Sequence, residues 1–215
     1  MTFRDLQAVV AQGEGLHVEF KRKLPEWEKL MREIVAFANT EGGILLIGVD
    51  DDGQIPGTRD PREVEEALDI FIREYTLPVP EYRLEMIPLS AKRAVVAIHV
   101  PESLSKPHRA LERPLTPPGQ VLIRIADSST RASKEMVELL KFGSRPKDMK
   151  VEYGDKERLL MQHLAQHPYI TVGTFAGLAK IPRPIASKTL IHLAKANVIR
   201  IEPQIDDEDR FTLVE

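Results

Sequence analysis

Apolar residues along this 215-residue chain recur first at helical spacing, then in alternation, then in a continuous run. Residues 2–12 carry the first helical pattern, with Leu6, Val9 and Val10 facing inward. Residues 17–21 alternate, which points Val18 and Phe20 into the core and sets His17, Glu19 and Lys21 together outside. Pro25 opens a helix at a favoured first-turn position. Trp27, Leu30, Met31, Ile34 and Phe37 follow at helical spacing, with Val35 and Ala38 widening the stripe. Residues 39–43 end that helix with side chains that tolerate positive φ. Residues 44–49 are nearly continuously apolar, which predicts a strand buried on both faces. Asp50, Asp51, Asp52 and Gly53 form a turn cluster.

A second long helix is expected from Asp60-Pro61 to about Thr76, with Val64, Ala67, Leu68, Phe71 and Ile72 inward. Two strands follow around 82–88 and 94–100. The proline-rich, basic stretch 105–119 reads as a loop, 120–126 as a strand and 127–130 as a polar turn. Ser133 caps a helix over 134–142 with Glu135 in its first turn. Residues 143–148 read as a linker. Beyond it come a helix over 155–167 (Leu159, Leu160 and Leu164 inward), a short β segment at 169–172, and helices over 173–180 and 183–196. Ile185, Leu190, Leu193 and Ala194 are the inner face of the last helix, and Asn197 stops it. Strands at 198–202 and 210–214 close the chain around an acidic turn. Helix, helix–turn–helix, then hairpin is the order of a winged helix.

A content of 42% hydrophobic and 29% charged residues fits a soluble globular protein with a real core. Cysteine is absent, so disulfides and thiolate metal sites are excluded, and an intracellular, cytoplasmic protein is the natural expectation. The first residues carry an acid and no apolar h-region, unlike a signal peptide, and the longest apolar run is too short for a bilayer, so no membrane partner is expected. A net charge of −3 argues against a generic polyanion binder. Charge is unevenly spread, however. Residues 159–201 hold no acid but carry Lys180, Arg183, Lys188, Lys195 and Arg200, before Asp206, Asp207, Glu208 and Asp209 reverse the sign.

Chemistry concentrates in Glu14, Glu19, Lys21 and Asp51. Hydrolysis of a phosphodiester needs oxygen ligands for Mg²⁺ or Mn²⁺ and a cation near the scissile phosphate. Glu19 and Lys21 supply an acid and a base on one strand face, Asp51 follows the end of a neighbouring strand, and Glu14 precedes the first. The same spacing also suits a solvated strand face with a surface ion pair. Gly42-Gly43 lacks the Gly-Lys-Ser/Thr of a Walker motif, so ATP is not supported and a helix-to-strand turn is the reading. Lys106, His108, Arg109 and Arg113 form a basic loop patch able to hold phosphate oxygens, or simply a solvated loop. Arg124, near Ser128, Ser129, Thr130 and Arg131, is the better phosphate-contact candidate; its alternative is an ion pair with an acid of the first motif. In the C-terminal part, Arg183, Ser187, Lys188, His192 and Lys195 decorate the expected recognition helix, while His163 and His167 read as surface residues.

The stretches 13–21, 37–43 and 47–51, closed by 124–130, resemble in order the Schlafen/AlbA-type domain, a family described as DNA-binding. The resemblance covers about residues 2–142. It implies an α/β (α+β) domain with a mixed sheet and flanking helices over 1–145, followed by a small winged-helix domain over 146–215. In Schlafen proteins with RNase activity three acids bind a divalent metal; Glu14, Glu19 and Asp51 stand at the matching positions, and Lys21 matches the lysine after the second acid. Eukaryotic Schlafens carry two such lobes as a clamp, so a single-lobed chain resembles them only as a homodimer. The resulting expectation is a nucleic-acid-binding protein, a prokaryotic DNA-binding transcriptional regulator. The alternative is a Mg²⁺- or Mn²⁺-dependent endoribonuclease acting on structured RNA. The acidic turn at 206–209 would repel phosphates if it served as a wing.

Overall fold

The computed structural model describes residues 1–143 and 153–214. It divides into two compact units, Met1–Arg131 and Ala132–Glu215. Of the expected linker at 143–148, Gly143 ends α4, while residues 144–148 and the boundary at 145/146 lie outside the described residues.

The first unit is built on a four-stranded mixed sheet. Its strands are β1 (Val18–Lys21), β2 (Gly43–Ile47), β4 (Arg83–Ser90) and β5 (Arg93–Val100), in the order β1-β2-β5-β4. β1 and β2 are parallel, with Glu19 opposite Leu45, because α2 (Trp27–Asn39) carries the chain back between them. The other pairs are antiparallel. One sheet face packs on α1 (Phe3–Val10) through Phe20, Leu46, Val95 and Ala97 against Leu6 and Val10. The other packs Leu45, Ile47, Val96 and Ile98 on α2 and on α3 (Pro61–Tyr75). β2 is thus covered on both sides, as its unbroken apolar run requires.

The stretch expected to be a loop forms β6 (Arg109–Arg113) and β7 (Thr116–Gln120), which join the two-residue β3 (Thr76–Leu77) in a small sheet. The expected polar turn is instead β9 (Ser128–Arg131), paired with β8 (Leu122–Ile125). Asn39, the last residue of α2, ties these pieces together. Its side-chain amide donates to the carbonyls of His108 and Leu122 and accepts from the His108 amide at 2.7 Å.

The second unit comprises α4 (Lys134–Phe142), α5 (Asp155–Leu164), α6 (Val172–Ala179), α7 (Arg183–Lys195) and the hairpin β10 (Ile199–Glu202) with β11 (Arg210–Leu213). Ser133 caps α4 through the Met136 amide. Leu160, Phe175, Leu190, Leu193 and Phe211 form its core. Leu159 and Ile185, expected inside, are 38% and 46% exposed. Inner positions on their helices are taken by Leu160 and Leu164 on α5 and by Ala186, Thr189, Leu190 and Leu193 on α7.

Candidate nucleic-acid interface

The alternation of β1 does place Glu19 and Lys21 on one face, but that face is not solvent. Register with Leu45 turns Glu19 toward α2, where it is only 7% exposed. A buried carboxylate needs a partner, and it has two. Glu19 Oε1 pairs with the Lys21 ammonium, and Oε2 accepts from Arg124 Nη2 at 2.6 Å.

Arg124 arrives from β8, and its side chain is entirely buried. Its Nη1 donates to Glu33 Oε2 at 2.6 Å and to Ser129 Oγ at 3.2 Å. Its Nε and Nη2 donate to the Gly15 carbonyl at 3.1 and 2.8 Å, and Nη2 also reaches the Val18 carbonyl at 3.3 Å. The guanidinium carbon lies 4.9 Å from the centre of the Phe37 ring. These partners use the donor capacity of an arginine. Arg124 therefore has nothing left for a phosphate, and the ion-pair alternative is the correct one. Ser129 is likewise engaged, its hydroxyl donating to Glu33 at 2.5 Å. Burial raises the carboxyl pKa of Glu33, while the Ser129 hydroxyl and Arg124 oppose that shift. Glu33 belongs to this group although no motif marks it. Its signal was a lone acid between Leu30 and Phe37, three and four positions away on the apolar stripe.

The three acids expected to hold a metal are not arranged for one. Both oxygens of Glu19 are committed. Glu14 is exposed and accepts the Phe20 amide at 2.7 Å. Together with Arg124 on the Gly15 and Val18 carbonyls, this closes the open edge of β1. Asp51 stands in an exposed turn. Among the described residues no group of three or more His, Cys, Asp or Glu side chains is placed to hold a metal ion. As placed, these residues do not fit Mg²⁺ or Mn²⁺. The neighbouring Asp50 has its Oδ2 3.4 Å from Arg22, and its buried Oδ1 has no hydrogen-bond partner among the described residues.

A family model described as Schlafen, AlbA_2 matches residues 14–133, more than half of the chain. The chain belongs to the Schlafen AlbA_2 family. Two solved structures are also similar to it. The DIP2311 protein of Corynebacterium diphtheriae is 20% identical with a TM-score of 0.44, over 79% of this chain and 30% of that one. This chain therefore spans less than a third of the Corynebacterium protein. The N-terminal domain of a RecG-related protein from Nitrosomonas europaea is 22% identical with a TM-score of 0.41, over 62% of this chain and 94% of that domain.

Within the Schlafen AlbA_2 stretch, Glu14, Glu19, Lys21, Arg124 and Ser129 meet at one edge of the sheet, while Thr130 and Arg131 lie along β9, Arg131 exposed. The expected basic patch is not a free surface. His108 is 1% exposed, and its Nδ1 lies 2.7 Å from the Pro78 carbonyl. Burial lowers its pKa, with the Pro78 contact acting the other way. Lys106 donates to the Thr40 carbonyl and to Glu102, and Arg109 Nη1 to the Gly119 carbonyl. Only Arg113 of that set stands exposed. Gly42 and Gly43 behave as a structural turn. Gly42 has φ +77°, and a side chain there would lie 2.8 Å from the Val100 carbonyl oxygen; one on Gly43 would enter the Phe37 ring.

In the second unit the helix–turn–helix residues divide. Arg183 pairs with Glu208, which also accepts the Gly173 amide at 2.9 Å. Ser187 donates to Glu135 of α4, so it faces that helix. The Lys195 ammonium lies 5.2 Å from the centre of the Phe142 ring. Lys188 is exposed beside a cleft of ≈ 960 Å³ shared with Lys156, His192 and Lys195. The acidic turn is folded back: Asp209 accepts from Ser133 at 2.5 Å and from the Gln204 amide at 3.2 Å. His163 and His167 stack with ring centres 4.2 Å apart.

Proposed function

We propose that this chain binds nucleic acid and acts as a homodimeric, DNA-binding transcriptional regulator. The observation that carries this reading is a Schlafen AlbA_2 stretch followed by α5, the α6–α7 pair and the β10–β11 hairpin, in the order of a winged helix. Lys188 and Lys195 of α7, with Lys156 of α5, give that helix a cationic open side. A dimer would offer two copies of α7 to half-sites about 34 Å apart. The contacts are local, because the chain as a whole is mildly acidic.

Mobility-shift titrations of duplex DNA and structured RNA, across low and physiological salt, test the reading. The expected result is a duplex complex whose affinity falls steeply with salt. Absence of any complex at low salt, with either polymer, overturns it. Light scattering of the free protein checks the dimer. The metal-dependent endoribonuclease alternative is disfavoured, because it requires Glu19 to leave both Lys21 and Arg124 before any ion is held.

A further inference from the structure

The geometry points to a phosphate-binding groove on the first unit, lined by Arg22, Lys23, Arg59 and Arg93, that takes the sugar–phosphate backbone of a nucleic acid. It rests on the nucleic-acid-binding reading and gives it a surface on the Schlafen AlbA_2 domain. The groove measures ≈ 800 Å³.

Three separate segments bring the four cations together. Arg22 and Lys23 leave the end of β1, Arg59 precedes α3, and Arg93 opens β5. The connection between β2 and α3 is fixed so that these segments meet. The Gly57 amide donates to the Gly48 carbonyl at 2.9 Å, and Thr58 exchanges backbone bonds with Ala94 at 2.8 and 3.2 Å. Gly48 has φ +104°, and a side chain there would lie 2.9 Å from the Gly57 α-carbon, so this close approach requires glycine.

The cations are poorly neutralised. Arg93 Nη1 is held by the Pro56 and Gly57 carbonyls at 2.9 and 3.2 Å, which leaves its Nε and Nη2 without partners among the described residues. An arginine anchored by backbone on one side with free donors on the other is preorganised for an anion. Lys23 and Arg59 make no side-chain hydrogen bond or ion pair among the described residues, and Arg22 has only the 3.4 Å contact to Asp50. Asp60 and Glu63 on the α3 side are the acids of the lining, so cations outnumber them. Among the described residues no aromatic ring lines the groove. Base stacking therefore has no platform, and the contact is to backbone phosphates without sequence preference.

The test uses the full chain and a fluorescent duplex of random sequence, with anisotropy titrations at roughly 50 to 200 mM salt. The Lys23→Glu/Arg59→Glu variant is compared with wild type, with Lys23→Gln/Arg59→Gln and with Lys188→Glu. The groove variants are expected to lose about tenfold or more in affinity at low salt, and the Gln pair to lower the salt slope by about two. Their thermal melting is expected to match wild type, since neither side chain has a hydrogen bond or ion pair to lose among the described residues. Wild-type binding with unchanged affinity and slope in both groove variants overturns the groove while leaving the parent reading intact. No binding by wild type sinks both. A mononucleotide that competes as well as the duplex, phosphate for phosphate, makes this a small-ligand site and overturns the polymer assignment.

Discussion

Arg124 Nη2 lies 2.6 Å from Glu19 Oε2, and the two residues are 105 positions apart in the chain. Together with the 2.6 Å contact from Nη1 to Glu33, the pair fastens β8 to β1 and α2. The residues that most suggest catalysis in the family motif are thus also the residues that close the fold. A buried ion pair is weak evidence of net stability, but breaking one partner is expensive because the other charge is left uncompensated.

Arg124→Ala leaves Glu19 and Glu33 facing each other without their shared cation. We expect a loss of about 3–5 kcal/mol in unfolding free energy, read from urea denaturation. Arg124→Lys is expected to recover little, since an ammonium cannot span Glu19, Glu33 and the Gly15 carbonyl at once. An unchanged urea midpoint in Arg124→Ala would show that the network carries no stability.

Local and non-local information separate cleanly in this chain. The apolar stripe of α2, the cap at Ser133 and the doubly covered β2 were legible because period and capping are local signals. β6 and β7 were not, because Pro117, Pro118 and Gly119 read as loop, and what makes that stretch a strand is pairing with β6, itself pairing with β3. Alternation on β1 separates two faces without saying what covers each, so it sets Glu19 outside. Its cover comes from Glu33 and Arg124, and no spacing within β1 announces an arginine from β8. Motif position points to Asp51, yet the acid next to Arg22 is Asp50.

His108 is expected to make the stability of the first unit depend on pH. It is buried, its Nδ1 contacts the Pro78 carbonyl, and its Nε2 has no partner among the described residues, so a second ring proton finds no acceptor there. Burial therefore holds the folded-state pKa below the ordinary 6.5. Between those two values the unfolded chain binds more protons than the folded one, so stability rises with pH there and is lost as pH falls. Melting of wild type is expected to drop from pH 7.5 toward pH 5 more steeply than that of His108→Gln. Burial depresses His99 in the same direction, so some pH dependence remains in the variant. Parallel curves for the two proteins would remove His108 as the cause.

Gly42→Ala separates a structural turn from a phosphate loop. The substitution forces a left-handed φ on alanine and drives its side chain toward the Val100 carbonyl and the Glu102 amide, both at 2.8 Å. A destabilisation of about 1–3 kcal/mol is expected from thermal or urea unfolding. Nucleotide affinity is not expected to change if the glycine is there only for the close approach to Val100 and Glu102. ATP protecting wild type against unfolding, but not Gly42→Ala, would contradict the structural role.

Glu208 sets how much charge α7 presents. Its Oε1 pairs with Arg183 and its Oε2 accepts the Gly173 amide. Hydrogen bonding from Arg183, then from the Gly173 amide, holds its carboxyl pKa below the ordinary value, so the pair persists at neutral pH. Glu208→Gln keeps an oxygen for the Gly173 amide but removes the charge, freeing a guanidinium that is already 62% exposed. If α7 approaches DNA, one further cation becomes available to a phosphate. Duplex affinity is then expected to rise at low salt, with the salt slope steeper by about one. Removal of the acidic charge from the turn acts in the same direction, so Arg183→Gln in the Glu208→Gln background is needed to divide the two effects. If the added substitution returns the slope to its wild-type value, Arg183 is the contact. Equal affinity and slope in all three proteins would mean that this end of α7 does not meet the polymer.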